Sequence, residues 1–412
     1  MTSMSRRAFG ARALCTAAVA SAAAAGLAPA AGAQTGSLGS AGAATTPPAA
    51  PTGDAGVDSL TPEQLAELDA TVAVPPTPSF RSLRAATNPF PVTGGSGVHV
   101  QASRQVDERT WLVDVYSPAN QRTMRVAVQG PAPSAGPRPT LYCLDGYSDW
   151  APAGDDSIYS GWFWAGGGHD FFADKNVTVV YTCDDGPTMY RDFLAPVPGR
   201  GAVRWETFLT KELPPLIDAV MNGNGRNGLL GISSGACAAF MTAVRNRSLY
   251  TTIAGLSGVY DVDNTFGKAL WSRMWKDKQI DPAWVMGGWF NSQWGSNDPY
   301  AVVNGNTQSL RGKTLYLSAA AGLPSGEQWS RVVEDPRPVV YGGSFEATAF
   351  NATLRFAGWL GLSGCQVTQD YLARGIHGWP LWRQQLPFAW PNIAKGLGVD
   401  GQTPAPVAQT LR

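Results

Sequence analysis

The sequence predicts an α/β fold, a doubly wound and mostly parallel sheet with helices on both faces. Two observations carry this. Short continuous apolar runs alternate along the chain with longer helical patterns. One of these runs leads directly into a glycine-flanked serine, Gly231-Ile232-Ser233-Ser234-Gly235, and then into a helix.

In chain order, Thr110–Tyr116 and Arg125–Val128 alternate apolar with polar residues, as half-buried strands do. Thr140–Leu144 and Val177–Tyr181 are unbroken apolar runs, expected of inner strands covered on both faces. Glu206–Ala219 reads as a helix. Gly228–Gly231 is a short strand followed at once by a helix over Ala236–Val244. Ile253–Leu256, Thr314–Ser318 and Cys365–Tyr371 supply three further strands.

Outside this region the composition changes. Residues 1–33 carry Arg6, Arg7 and Arg12, a small-residue apolar stretch and Ala31-Gly32-Ala33, the parts of an export signal. Ser5-Arg6-Arg7-Ala8-Phe9 also resembles a twin-arginine signal, and an ordinary secretory leader is the alternative. Residues 34–95 form an Ala/Pro/Gly-rich linker that has too few large apolar side chains to fold, with a short helix near 61–70 capped by Thr61 and Pro62. The folded catalytic domain is expected over 96–398, with a flexible tail over 399–412.

The 412 residues carry 31 Lys+Arg and 31 Asp+Glu, so the net charge is zero. Such a balance argues against a nucleic-acid partner. No uncharged run of about 18 apolar residues follows the leader, so a transmembrane segment is not expected. With the leader removed, Cys143, Cys183, Cys237 and Cys365 remain. Their spacing fits no zinc pattern and there are only three histidines, so neither a metal nor another cofactor is expected. An even count in an oxidising compartment leaves a disulfide and four buried thiols as equal alternatives.

G-x-S-x-G by itself is a weak signal. Here a strand precedes it and a helix follows, the context of an α/β-hydrolase nucleophile elbow, with the Ser234 N–H at the helix N-terminus. A serine hydroxyl needs a base, and in this fold the order is Ser, acid, His. Of His99, His169 and His377, only His377 follows Ser233. For the acid, Glu327, Glu334, Asp335, Glu346 and Asp370 lie in the required interval, and local sequence divides the choice between Glu327 and Glu346. The acid would hold the imidazole tautomer and stabilise the imidazolium. Trp271, Trp275, Trp284, Trp289, Phe290 and Trp294 are candidates for an acyl groove or its lid, or for the core of a cap.

Arg204-Trp205-Glu206-Thr207-Phe208-Leu209-Thr210-Lys211-Glu212-Leu213-Pro214 resembles a stretch of the actinobacterial mycolyltransferases, the antigen 85 family. Leu144-Asp145-Gly146, Met189–Phe193, Leu256-Ser257-Gly258, Asn297-Asp298-Pro299 and His377-Gly378-Trp379 resemble its landmarks in the same order. The resemblance implies an α/β-hydrolase that moves mycolyl chains from trehalose monomycolate to trehalose monomycolate or cell-wall arabinogalactan, secreted to the cell envelope and associated with the surface of the mycolate layer. It further implies Ser233 as nucleophile, His377 as base and Glu346 as acid. The backbone N–H groups of Ser234 and Tyr147 correspond to the oxyanion donors, and Asp145 and Trp379 to substrate-binding positions. Where the family carries a sugar-binding arginine, this chain has Ser148, so acceptor choice is open. Competing expectations are a secreted carboxylesterase with the same three residues, and an inactive member that only binds sugar.

Overall fold

Burial on both faces explains why the inner strands read as mostly apolar runs, and the computed structural model shows both faces covered. It describes residues 88–399 apart from 132–135, 152–157, 184–185, 306, 327 and 330–335. The export signal, the linker with its helix near 61–70 and the C-terminal tail beyond Val399 lie outside the described residues, as do Glu327, Glu334 and Asp335.

Among the described residues, nine strands form one sheet: β1 (His99–Gln105), β2 (Thr110–Ser117), β3 (Arg122–Gln129), β4 (Arg138–Leu144), β5 (Thr178–Thr182), β6 (Gly223–Ile232), β7 (Tyr250–Leu256), β8 (Thr314–Ala320) and β9 (Val367–Leu372). Their spatial order is β1-β2-β3-β5-β4-β6-β7-β8-β9. The β1–β2, β2–β3 and β3–β5 pairings are antiparallel and the other five are parallel. The longer helices are α1 (Leu213–Val220), α2 (Ser233–Arg245), α3 (Thr265–Asp277), α4 (Arg337–Leu362) and α5 (Trp379–Leu397). Successive strand residues enter different cores: Leu229 and Ile253 pack in one cluster with α2, and Leu230 and Ala254 in another with α5. Each strand therefore presents two apolar faces, the reason its sequence reads as a run without alternation.

Three expectations change. Order begins upstream of residue 96: Phe90 is fully buried in the core and Asn88 donates to the Ser103 hydroxyl. β1, which the residue pattern does not predict, is an edge strand whose polar residues mask any alternation. The helix expected over 206–219 runs from Trp205 to Val220 with a π turn at Phe208–Glu212. Pro214 and Pro215 lack the N–H groups that an α-helix would pair with Thr210 and Lys211, and the wider turn absorbs the loss. Cys143, Cys183, Cys237 and Cys365 are buried thiols outside any disulfide, the second of the two alternatives.

The antigen 85-like landmarks hold the frame together. Glu212 accepts from the Ser117 hydroxyl and the Ala119 N–H, and Asp192 from the N–H and hydroxyl of Thr207. The buried Arg191 guanidinium donates to Asn297, and Asp298 accepts the N–H groups of Val262 and Asp263. These polar side chains face backbone that would otherwise be buried unpaired.

Candidate active site

Ser233 sits where β6 turns into α2, and the turn is tight enough to exclude a Cβ on either side. A Cβ on Gly231 would come within 2.2 Å of the Gly235 carbonyl oxygen, and one on Gly235 within 2.2 Å of the Asp145 carbonyl oxygen. Ser233 itself has φ 51°, a left-handed conformation that costs energy for a residue with a Cβ. The N–H groups of the first turn, Ser234 among them, have no intrahelical carbonyl to bind.

The three expected side chains come together at the C-terminal edge of the sheet. His377 Nε2 lies 3.0 Å from Ser233 Oγ, and His377 Nδ1 lies 2.7 Å from Glu346 Oε2. Ser233 is 4% exposed, and Glu346 and His377 are 0% exposed. Glu346 reaches the site from inside α4, and its second oxygen accepts the Ser257 hydroxyl and the Ala320 N–H, each at 2.8 Å. The His377 backbone N–H donates to the Gly342 carbonyl, one turn before Glu346 on α4. Edge-on rings of Phe345 and Trp382 flank the imidazole.

Sequence reasoning does not single out Ser257 as a site residue. Its hydroxyl donates to Glu346 and accepts the Trp382 indole N–H at 3.1 Å, while its own φ is 52°. It thereby fixes the carboxylate that faces His377. Ser257→Ala is expected to lower kcat about tenfold, the equivalent of one orienting hydrogen bond, with KM for a short ester unchanged. Steady-state kinetics alongside a melting curve measure this; an equal fall in kcat/KM through KM alone would contradict it.

Two residues expected at substrate-binding positions, Asp145 and Trp379, are buried and held by neighbouring protein groups. Asp145 is 4% exposed, and its carboxylate oxygens accept the N–H groups of Gly161 and Trp162 at 2.8 and 2.9 Å. Burial pushes its carboxyl up to about 7 against the pull of those two donors. The group is spent on shaping the loop behind the site. Trp379 is also buried, edge-on to Trp162 and Trp382, because α5 tucks its first turn under that same loop. The Tyr147 ring is anchored on α3, where its hydroxyl donates to the Met274 carbonyl at 2.7 Å. Of the aromatic candidates, Trp271, Trp275 and Trp294 are core residues and Trp284 is half-buried, whereas Trp289 is exposed and Phe290 is 95% exposed.

Neither remaining histidine joins the site. His99 Nδ1 lies 2.8 Å from the Gly97 carbonyl oxygen. His169 Nε2 lies 2.7 Å from Asp107, clipping the β1–β2 turn to the short helix Gly168–Phe171. The hydrogen bond to Asp107 raises the His169 imidazole above its ordinary value despite burial. Burial pushes the Asp107 carboxyl up, but its hydrogen bonds from His169 and the Arg109 N–H outweigh this and hold it at about 2. A raised imidazole contributes stability that is complete below its unfolded value and is lost as pH rises through the folded one. Melting temperature is therefore expected to fall as pH climbs through and above the mid-sixes, and His169→Gln should flatten that slope. An unchanged slope in the variant would refute the assignment.

Residues 117–393 match the family model Esterase ("Putative esterase"). The chain is 26% identical over 311 residues to the diacylglycerol acyltransferase/mycolyltransferase Ag85A of Mycobacterium tuberculosis, covering 71% of this chain and 83% of that protein. To Ag85B of Mycobacterium avium it is 26% identical over 275 residues, covering 64% and 76%. Among solved structures, Mycobacterium tuberculosis MPT51 (FbpC1) superposes with a TM-score of 0.56 at 21% identity, covering 68% of this chain and 96% of that one. The fluorophosphonate-binding serine hydrolase FphF of Staphylococcus aureus does so with a TM-score of 0.50 at 12% identity, covering 67% and 94%. The two structural likenesses establish the α/β-hydrolase-like fold.

Proposed function

This chain belongs to the Esterase family, its relatives are acyl-transferring enzymes, and on that premise we propose that it is an exported serine acyltransferase of the cell envelope. Its donor is a trehalose mycolate, and its acceptor is a sugar hydroxyl of trehalose monomycolate or of arabinogalactan. The observation that carries this reading is the continuous line Ser233–His377–Glu346, fully buried at Glu346 and His377 and nearly so at Ser233.

His377 Nε2 takes the Ser233 proton as Oγ attacks the ester carbonyl, while Glu346 holds the proton on Nδ1. The oxyanion is held by the backbone N–H groups of Ser234 and Tyr147, two donors of which each is worth about 3 kcal/mol in such sites. Collapse of the tetrahedral intermediate breaks the ester C–O bond, and His377 protonates the departing trehalose oxygen. The acceptor hydroxyl then gives its proton to His377 and attacks the acyl-serine, which regenerates Ser233. Water competes at this step. The near-complete burial of Ser233 and His377 supports transfer, because a poorly hydrated acyl-enzyme survives until an alcohol arrives. Trp289 and Phe290 offer exposed apolar surface to the acyl chain.

Ser148 in place of the family arginine favours the second reading, a secreted carboxylesterase, because the sugar then lacks a charged partner. Incubation with trehalose monomycolate and excess isotope-labelled trehalose separates the two, because transfer onto unlabelled trehalose would only return the donor. New acyl-trehalose is the expected product, and free mycolic acid alone would overturn the transferase reading.

A further inference from the structure

We propose that the sheet edge opposite Ser233 is a docking site for a polyanionic polysaccharide, recognised through its charges. Two grooves open there. One, of about 580 Å³, is lined by Arg311, Lys313 and Lys395. The other, of about 480 Å³, is lined by Lys211, Arg245 and Arg247. They meet at Lys313, whose ammonium donates to the carbonyl oxygens of Arg247 and Tyr250. Together they make a cationic strip along the N-terminal ends of β7, β8 and β9.

Among the described residues that line the two grooves there is no carboxylate. Arg245 is partly neutralised by Glu206 behind it, so the argument rests chiefly on Lys211, Arg311, Lys313 and Lys395. The 31 cationic and 31 acidic residues of the full sequence balance, so the cations here are not part of a general positive charge. Cations gathered in a concave, low-dielectric groove focus the field and attract an anion more strongly than the same charges spread over a convex face.

The shape and lining select among anions. The grooves carry no aromatic side chain among the described residues, so they offer no stacking platform for nucleic-acid bases. Their concavity suits an extended chain and cannot be filled by a flat bilayer. A sulfate-, phosphate- or carboxylate-bearing polysaccharide satisfies both conditions. Docked this way, the protein would be held on a charged envelope matrix with Ser233 facing away from it and open to its substrate. This does not depend on which acceptor the serine uses.

The test uses the full chain and fluorescent dextran sulfate, followed by anisotropy at low ionic strength, with neutral dextran and phosphatidylglycerol vesicles in parallel. Dextran sulfate is expected to bind and to be released by salt, and neutral dextran not to bind. Lys211, Arg311 and Lys395 are exposed, so the triple variant Lys211→Glu/Arg311→Glu/Lys395→Glu should fold. It is expected to bind about tenfold or more weakly while cleaving a short soluble ester at the wild-type rate. The neutralising variant Arg311→Gln/Lys395→Gln should show a smaller loss in the same direction. Undiminished binding in both variants would overturn the proposal, as would vesicles that bind more tightly than dextran sulfate.

Discussion

Ser233→Ala is expected to abolish acyl-enzyme formation and to lower turnover by about 10⁴-fold or more, because members of such a triad act as a unit. Fluorophosphonate labelling followed by mass spectrometry provides the measurement: wild type should gain one adduct on Ser233, and the variant none. The fold should survive. Alanine fits wherever serine does, and losing the hydroxyl frees only one partner, His377 Nε2. Retained turnover in a cleanly folded variant would remove the central step of the proposed mechanism. Labelling at a cysteine is not the expected alternative. Burial holds the Cys143 thiol well above its ordinary value and pushes Cys237 up to about 12, so neither is a thiolate near neutral pH.

Gly235→Ala is expected to have the second-largest effect, on stability and activity together. The added Cβ would lie 2.2 Å from the Asp145 carbonyl oxygen and 2.8 Å from that of Leu144. Both are backbone atoms, so no rotamer change can relieve the contact, and α2 must move away from the end of β4. Overpacking of this kind costs about 3 kcal/mol. The displaced helix carries Ser233 and the Ser234 N–H, and the segment it presses on leads into Tyr147, so activity should fall more steeply than the loss of folded protein accounts for. Chemical denaturation and kinetics on the same preparation distinguish the two contributions. A variant as stable and active as wild type would mean that the elbow is looser than its geometry implies.

Much of this architecture is written locally. β4, β5, β7 and β8 are covered on both faces, so each has a mostly apolar, uncharged centre that can be read from its own residues. The glycines around Ser233 are local for a different reason: backbone approaches them from both sides of the turn, which excludes any side chain. His377 follows from chain order, because it alone among the histidines comes after Ser233.

Other features arise only when distant segments meet. Glu346 lies well inside a long helix, and nothing in its neighbours distinguishes it from Glu327. What sets it apart is that α4 crosses behind His377 and brings Ser257 and Ala320 to its other oxygen. Asp145 reads as a polar residue available to a ligand, yet the loop at Gly161 and Trp162 folds over it and takes both oxygens. Charge behaves likewise. A sum of zero conceals cations gathered at one sheet edge, because a sum carries no positions. Sequence by itself determined the inner strands and the tight turn and named the candidate alcohol and imidazole, since each depends on near neighbours or on order along the chain. Local sequence leaves the carboxylate open and a family resemblance points to Glu346; only the tertiary structure shows it facing the imidazole, and only it shows which polar groups are consumed in the interior and where the charge collects, since these depend on which surfaces pack together.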